Sequence, residues 1–381
     1  MFEHIPFNKP FLVGKETDYI KDAVASLKIS GDGIFTKKCH NFFETQYGFK
    51  KVLLTTSCTD ALEMAAILLD IKEGDEVIAP SYTFVSTVNA FVLRGAKIIF
   101  ADSSSTNPNI DADKIEQLIT PRTKVIVPVH YAGIACDMDK IMSIANKYNL
   151  YVVEDAAQSI DSFYKGKPLG GIGHLSAFSF HETKNIISGE GGMLVINDDT
   201  FIKRAEIIRE KGTNRSAFFR GEIDKYSWVD VGSSFLPSEI ISAFLFAQLE
   251  NLNKIQHRRK EIWNLYNTLL LDINQNFIFE LPSIPNYATN NAHMYYLVLK
   301  NIDERTRFIS YLKSNQINTV FHYLSLDKSI FYSKAYPNIK SKLPNADRYS
   351  NQLVRLPMYY ELKNEEVIYI CQVIQDFYRL N

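Results

Sequence analysis

A lysine just past one apolar run and an aspartate at the end of another are the side chains whose chemistry stands out in this sequence. The stretch Ser176–Gly192 reads Ser-Ala-Phe-Ser-Phe-His-Glu-Thr-Lys-Asn-Ile-Ile-Ser-Gly-Glu-Gly-Gly. Ala177, Phe178 and Phe180 predict a buried strand that stops at a charged, glycine-rich turn, so that Lys184 emerges into a cleft. Upstream, Leu150-Tyr151-Val152-Val153-Glu154-Asp155 is apolar and β-branched until it ends in acids, the pattern of a buried parallel strand delivering a side chain at its carboxyl end. Most lysines are solvated surface charges. A strand-end aspartate in the same pocket changes the reading, because Asp155 and Lys184 are then the two groups a protein must supply to pyridoxal 5'-phosphate. One binds the pyridinium nitrogen and the other holds the aldehyde.

That cofactor also needs a cup for its phosphate. Thr55-Thr56-Ser57-Cys58-Thr59 is a polar turn followed by the strong helix former Asp60–Leu69, and free amides at such a helix start make an anion site. An ordinary cap, with Asp60 and Glu63 as a capping-box-like pair, is the alternative. Asp60 must also turn its carboxylate away from any bound phosphate.

The spacing of Ser57-Cys58-Thr59, Glu154-Asp155-Ala156-Ala157-Gln158 and Phe178-Ser179-Phe180-His181-Glu182-Thr183-Lys184-Asn185 resembles the DegT/DnrJ/StrS sugar aminotransferases over nearly the whole chain. Within that family, Pro80–Thr87, Val127–Gly133 and Arg209–Ser216 resemble most closely the branch of dTDP-4-amino-4,6-dideoxygalactose transaminases. The resemblance implies an α/β fold of the aspartate aminotransferase type (fold type I) and a pyridoxal 5'-phosphate cofactor. It also implies the site. Lys184 and Asp155 are catalytic, Ser179 is a phosphate ligand, Thr59 and Asp60 offer backbone amides, Gln158 meets the ring hydroxyl and Phe84 stacks on the open ring face. Many members carry Asn and Arg where this chain has Ser234 and Leu236, and that Asn reaches the neighbouring subunit's phosphate. Serine still donates one hydrogen bond. The expected assembly is a homodimer with shared active sites, in which the Gly31–Gly33 loop lies near substrate at the interface.

By the same resemblance the reaction moves nitrogen from L-glutamate to the 4-keto carbon of dTDP-4-keto-6-deoxyglucose, a dTDP-linked keto sugar, giving dTDP-4-amino-4,6-dideoxygalactose and 2-oxoglutarate. Rival outcomes are the gluco epimer and a 3-keto substrate, because pocket shape decides between them. A pyridoxamine-dependent sugar dehydratase has histidine in place of the lysine, so Lys184 counts against it. A cofactor-binding regulator without turnover is a rival of another class.

Composition sets outer bounds. With 46% hydrophobic and 22% charged residues, the 381-residue chain reads as an ordinary soluble protein long enough for two domains. Its formal net charge of -1 gives no broad attraction to nucleic acid or a membrane surface, so an anionic substrate must be met locally. Cys39, Cys58, Cys136 and Cys371 are scattered, suggesting neither a zinc site nor a disulfide framework and fitting a reducing cytoplasm. The eight histidines show no metal spacing. The start lacks a signal-peptide pattern, and no segment is apolar for the roughly 20 residues a membrane span needs.

The positioning elements follow from periodicity. An extended arm through Pro10 precedes a helix over Glu16–Leu27, a break at Gly31-Asp32-Gly33 that reads equally as a simple turn, and a helix over Lys37–Tyr47. Strands are expected at Val52–Leu54, Glu76–Ala79, Lys97–Ala101, Val125–His130, Tyr151–Glu154, Ser176–Phe180 and Met193–Ile196. Helices at Asp60–Asp70, Ser86–Arg94, Asp111–Ile119 and Met138–Tyr148 complete a mainly parallel, doubly covered sheet. Gly171-Ile172-Gly173 is the nearest approach to a dinucleotide fingerprint, and it precedes a strand rather than opening a helix.

After a helix at Phe201–Glu210, the irregular stretch to Gly232 mixes Arg215, Lys225, Tyr226 and Trp228, which suits a diphosphate and a base or else a solvated loop. Ser238 caps a long helix kinked near Asn251–Asn253. Strand, helix and strand at Asn291–Lys300, Glu304–Ser314 and Asn318–Tyr323, then a helix at Asn364–Leu380, make a small α+β domain. Residues 1–250 are thus read as the large domain and 251–381 as the small one. Arg215, Tyr226, His322 and Tyr323 are the candidate substrate contacts.

Overall fold

The computed structural model describes residues 4–276, 278–339 and 341–380. Its centre is a seven-stranded sheet. The strands in chain order are β1 (Lys51–Thr55), β2 (Glu76–Pro80), β3 (Lys97–Ala101), β4 (Thr123–Ile126), β5 (Tyr151–Asp155), the small separate hairpin β6 (Phe163–Tyr164) and β7 (Lys167–Pro168), then β8 (Leu175–Ser179) and β9 (Gly192–Ile196). The spatial order is β1-β9-β8-β5-β4-β2-β3, and β9 runs antiparallel to both of its neighbours while the remaining pairs are parallel. Every residue of β2 and β9 is buried. Helices cover both faces, which is why these strands read as unbroken apolar runs.

The helix Cys58–Leu68 shows how sequence becomes packing. Ser57 caps it by accepting the Asp60 N–H, and Ala61, Leu62, Met64, Ala65, Ala66 and Leu68 are buried, on a helix lying against β8 and β9. Each large aliphatic side chain so removed from water contributes about 1.5–3 kcal/mol. The start of this helix is thereby fixed against the carboxyl end of β8.

Three expectations are corrected. Asp111–Ile119 forms two 3-10 turns, Ala112–Lys114 and Glu116–Leu118, rather than a helix; a segment this short nucleates poorly and Pro121 bars its extension. The regular ladder of β4 ends at Ile126, because Pro128 has no N–H to give, and Val129 returns only for a single bridge to Asp155. Asn318–Tyr323 is not a strand. Val320 alone bridges Arg355, and the chain then turns to carry His322 and Tyr323 to the cleft wall.

In the C-terminal third, the helices Glu239–Leu249 and Leu252–Ile273 meet at Asn251, whose side chain donates to the Ala247 carbonyl at 3.0 Å. Strands β10 (Tyr296–Val298) and β11 (Leu353–Arg355) pair antiparallel, and the helices Ile302–Ser314 and Asn364–Leu380 flank them. Ile262, Tyr266, Tyr295, Phe308, Ile370 and Phe377 belong to their own core. Met294, Tyr296, Tyr349 and Leu353 instead join the core built around β2 and β8, so packing is continuous across the chain's midpoint. The N-terminal arm is extended from its first described residues: Ile5 donates to Gln316 O at 2.8 Å and accepts from Asn318 N at 3.0 Å. Residues 1–3 of that arm, and Phe277, Lys340 and Asn381 of the C-terminal third, lie outside the described residues. No helix among the described residues is long and apolar enough to cross a membrane.

Candidate active site

Lys184 lies on the loop that joins β8 to β9, and hydrogen bonds close that loop at several levels. Phe180 N donates to Gly191 O at 2.8 Å, Ser188 N to Phe180 O at 2.7 Å, Glu182 N to Gly189 O at 2.9 Å and Lys184 N to His181 O at 2.9 Å. The lysine is therefore held on a folded-back loop beyond the carboxyl ends of β5 and β8. A parallel sheet presents its ligand site on that side.

Asp155 ends β5 and faces the same space. Its Oδ2 accepts from Thr87 Oγ1 at 2.6 Å and its Oδ1 from Ala157 N at 3.2 Å. Glu154, one residue earlier, points to the opposite face of the sheet, where it is fully buried. There it accepts from Gly170 N, Ile172 N and Gly173 N at 2.8, 2.8 and 2.6 Å and meets His130 Nε2 at 2.9 Å. The amides of Gly170, Ile172 and Gly173 thus serve a buried carboxylate, while Gly171 N donates to Pro168 O.

A cleft of about 550 Å³ gathers Thr59, Phe84, Asp155, Gln158, Ser179, Lys184, His322 and Tyr323. Gln158 bridges two walls, accepting from Ala132 N at 2.6 Å and donating to Tyr323 OH at 3.0 Å. Tyr323 stacks on His322 with ring centroids 3.5 Å apart. Phe84 is 56% exposed although it is set in the cleft wall, so one ring face is free. A larger, shallower depression of about 770 Å³ beside Lys50, His174 and Asp198 contains none of these groups.

The helix start is capped. Asp60 N donates to Ser57 Oγ at 3.0 Å, and the Asp60 carboxylate takes the Thr56 hydroxyl, turning aside as a phosphate neighbour must. Thr59 Oγ1 donates to Ser86 Oγ at 2.8 Å. Ser234, Arg215 and Tyr226 do not line this chain's cleft. Ser234 is exposed in a single bridge to Glu210, and Arg215 lies over Phe219 at 5.0 Å on the exposed segment that also carries Tyr226.

Charge in the cleft favours a reactive amine. Burial lowers the Lys184 pKa and the nearby Arg355 cation lowers it further, against the opposing pull of Cys58 and Asp155. Burial raises Asp155, while Thr87, Ala157, Lys184 and His130 hold it down. His293 and His322 are pushed well below the ordinary histidine range by burial and by the cations Lys184 and Arg355, so both are neutral. Tyr131 OH and His322 Nδ1 share a hydrogen bond of 2.7 Å.

Arg355 went unnoticed in the sequence. It ends the three-residue strand β11, no acid pairs with it among the described residues, its buried Nε has no partner and its guanidinium lies 4.7 Å from the Phe7 ring centroid. Only its place in an apolar run before the last helix hinted at it. Thr83, Thr87 and His293 were missed for the same reason, since each becomes special through contacts distant in sequence.

These residues fit pyridoxal phosphate. Asp155 Oδ1 has one donor and retains a lone pair for a ring N–H, Phe84 offers a bare face, and Gly192 lets the helix start approach, since a Cβ there would lie 2.2 Å from the Ser57 carbonyl carbon. Residues 12–375 match the model of the DegT/DnrJ/EryC1/StrS aminotransferase family, and the chain belongs to that family. It is a pyridoxal phosphate-dependent transaminase of fold type I acting in sugar metabolism. The GDP-perosamine synthase of Escherichia coli O157:H7 is 34% identical over 380 residues, covering 99% of each chain. The spore coat polysaccharide biosynthesis protein SpsC of Bacillus subtilis is 31% identical over 384 residues, covering 98% of this chain and 96% of its own. The putative sugar aminotransferase Spr1654 of Streptococcus pneumoniae, solved in a PLP form, superposes with a TM-score of 0.90 at 25% identity, covering 99% of each chain.

Proposed function

We propose that this enzyme transfers the amino group of L-glutamate to the 4-keto carbon of a nucleoside-diphosphate-linked 4-keto-6-deoxyhexose. The observation that carries the reading is the pairing, in one cleft, of a lysine whose ammonium is disfavoured with the strand-end carboxylate Asp155. The branch resemblance supports dTDP-4-keto-6-deoxyglucose as acceptor and dTDP-4-amino-4,6-dideoxygalactose as product. The 34% identity to a GDP-perosamine synthase supports a second reading, in which the nucleotide is GDP.

Bound pyridoxal phosphate supplies the electron sink that lets the donor α-carbon lose its proton. Asp155 would hold the ring nitrogen protonated, and Lys184 would hold the aldehyde. Lys184 Nζ would be placed to move the donor's proton as general base and acid, and its lowered pKa favours the free amine. Thr59 and Ser179 would take the phosphate end, the Asp60 amide joining them only by leaving its cap on Ser57 Oγ, while Phe84 would cover the ring face and Gln158 would meet the ring hydroxyl. Arg355, a cation without an acid partner, takes a carboxylate of the amino donor. His322 and Tyr323 face the sugar.

The remaining candidates belong to the assembly. Ser234 is exposed, and with it Phe219 at 65% and Trp228 at 78%. This exposure supports a homodimer in which Ser234 reaches the neighbour's phosphate and Arg215 and Tyr226 meet the nucleotide bound there. We also propose the division into residues 1–250 and 251–381, and four free cysteines support a reducing, cytoplasmic setting.

The test is a pair of half-reactions. Glutamate should shift the cofactor's visible band, and the product formed from each of the dTDP- and GDP-linked 4-keto sugars should then be identified as an amino sugar. No band shift with glutamate refutes the donor, and amination of neither sugar refutes the acceptor.

A further inference from the structure

The short stretch Thr83–Thr87 reaches both ends of the space beneath it. On the phosphate side, Ser86 Oγ accepts from Thr59 Oγ1 at 2.8 Å. On the ring-nitrogen side, Thr87 Oγ1 donates to Asp155 Oδ2 at 2.6 Å, and Phe84 lies between these contacts in sequence. Thr87 is fully buried and Thr83 is 2% exposed, with their hydroxyls 2.8 Å apart.

An ionised carboxylate only accepts hydrogen bonds. With Asp155 ionised, the proton order is therefore fixed, Thr83 donating to Thr87 and Thr87 to Asp155. With Asp155 protonated on Oδ2, the same chain must reverse. Thr87 Oγ1 and Ala157 N are the donors that reach this carboxylate among the described residues, and they occupy one oxygen each. Each oxygen therefore keeps a lone pair with which to accept a ring N–H.

We propose that Thr87, oriented by Thr83, is a positioning residue that keeps Asp155 ionised and fixes its carboxylate for the pyridinium N–H of pyridoxal phosphate. The inference rests on the transaminase reading only in that the cofactor lies against Asp155. Burial raises this carboxylate and Thr87 heads the influences that oppose the rise, so the two effects meet at one oxygen pair. The other titratable groups facing it are Lys184, His130, Cys58 and Tyr323. Removing the Thr87 hydroxyl leaves a buried carboxylate oxygen without a donor, so the Asp155 pKa rises and the ionised form needs a higher pH.

The experiment titrates pyridoxal phosphate onto the cofactor-free full-length chain by absorbance across the acid limb of binding, with melting of the cofactor-free chain as the folding control. Thr87→Val should raise the dissociation constant by roughly tenfold or more and move the acid limb to higher pH, while Thr87→Ser stays within about twofold of the native chain. Thr83→Val should move the limb the same way by less. A Thr87→Val chain with native affinity and limb overturns the proposal, as does one that loses affinity equally at every pH with a lowered melting temperature. Should Thr87→Val fail to fold, Thr83→Val decides, a moved limb supporting and an unmoved limb contradicting. Failure of the native chain to bind pyridoxal phosphate would instead contradict the transaminase reading itself.

Discussion

Ser179 and Gly192 face each other across the last rung of the β8–β9 ladder, and Gly192 lies directly against the backbone of Ser57 and Cys58. This rung ties the base of the Lys184 loop to the start of the helix Cys58–Leu68. The base of that loop and the helix start are thereby held together through backbone. A methyl group at Gly192 would lie 2.2 Å from the Ser57 carbonyl carbon, where backbone must move. Gly192→Ala should cost about 1–3 kcal/mol of stability and weaken pyridoxal phosphate binding. Thermal melting and a cofactor titration check both, and unchanged binding would mean that the rung does not set the cup.

Arg355→Gln should raise the glutamate concentration needed for the band shift by roughly tenfold or more, because a charge-assisted contact to a carboxylate is lost. The second half-reaction, measured from the pyridoxamine-loaded enzyme, should keep its dependence on keto sugar. A pH effect accompanies this. Burial lowers Lys184 first and Arg355 adds to it, so removing that cation lets the pKa rise. Neutral lysine then appears only at higher pH, and the pH limb of cofactor attachment should move upward. If the sugar half-reaction weakens instead, Arg355 serves the diphosphate.

Glu154→Gln should destabilise the chain by about 3 kcal/mol or more, because a buried carboxylate that satisfies three backbone N–H groups and His130 is replaced by an amide with one acceptor. Burial alone raises the Glu154 pKa, yet His130 and the glycine amides bring it below the ordinary value. A depressed carboxylate contributes stability above its unfolded pKa and loses it as pH falls through the folded value. The gap in melting temperature between native and Glu154→Gln chains should therefore narrow in acid. A constant gap would assign the effect to packing.

Much of this was legible in the sequence because it is written locally. The apolar runs of β5 and β8 end at Asp155 and just before Lys184, and a strand end needs no distant partner to be recognised. Phe84, Gln158 and Ser179 came with motifs and lie in the cleft. The expected strand at Asn318–Tyr323 failed because its pairing partner is the three-residue β11, too short to announce itself, and Arg355 was missed with it. Thr87 reads as an ordinary helix residue until folding brings it to Asp155, 68 positions away. Arg215, Tyr226 and Ser234 are exposed and lie outside this chain's cleft, so their expected roles came from the resemblance alone.

Shared sites can be tested by mixing two inactive chains, Lys184→Ala and one with the Ser233–Phe235 loop disrupted. If Ser234 completes the partner's site, subunit exchange should restore one working site in each hybrid dimer. Demonstrated exchange without recovered amination would mean that each chain builds its site alone.

Sodium borohydride treatment of the cofactor-loaded protein, followed by peptide mapping, tests the central assignment most directly, because reduction fixes the cofactor to whichever amine holds its aldehyde. The pyridoxyl label should appear on the peptide containing Lys184, and Lys184→Ala should carry none while melting, without cofactor, no lower than the native chain. A label on any other lysine, or undiminished labelling of Lys184→Ala, would contradict the account.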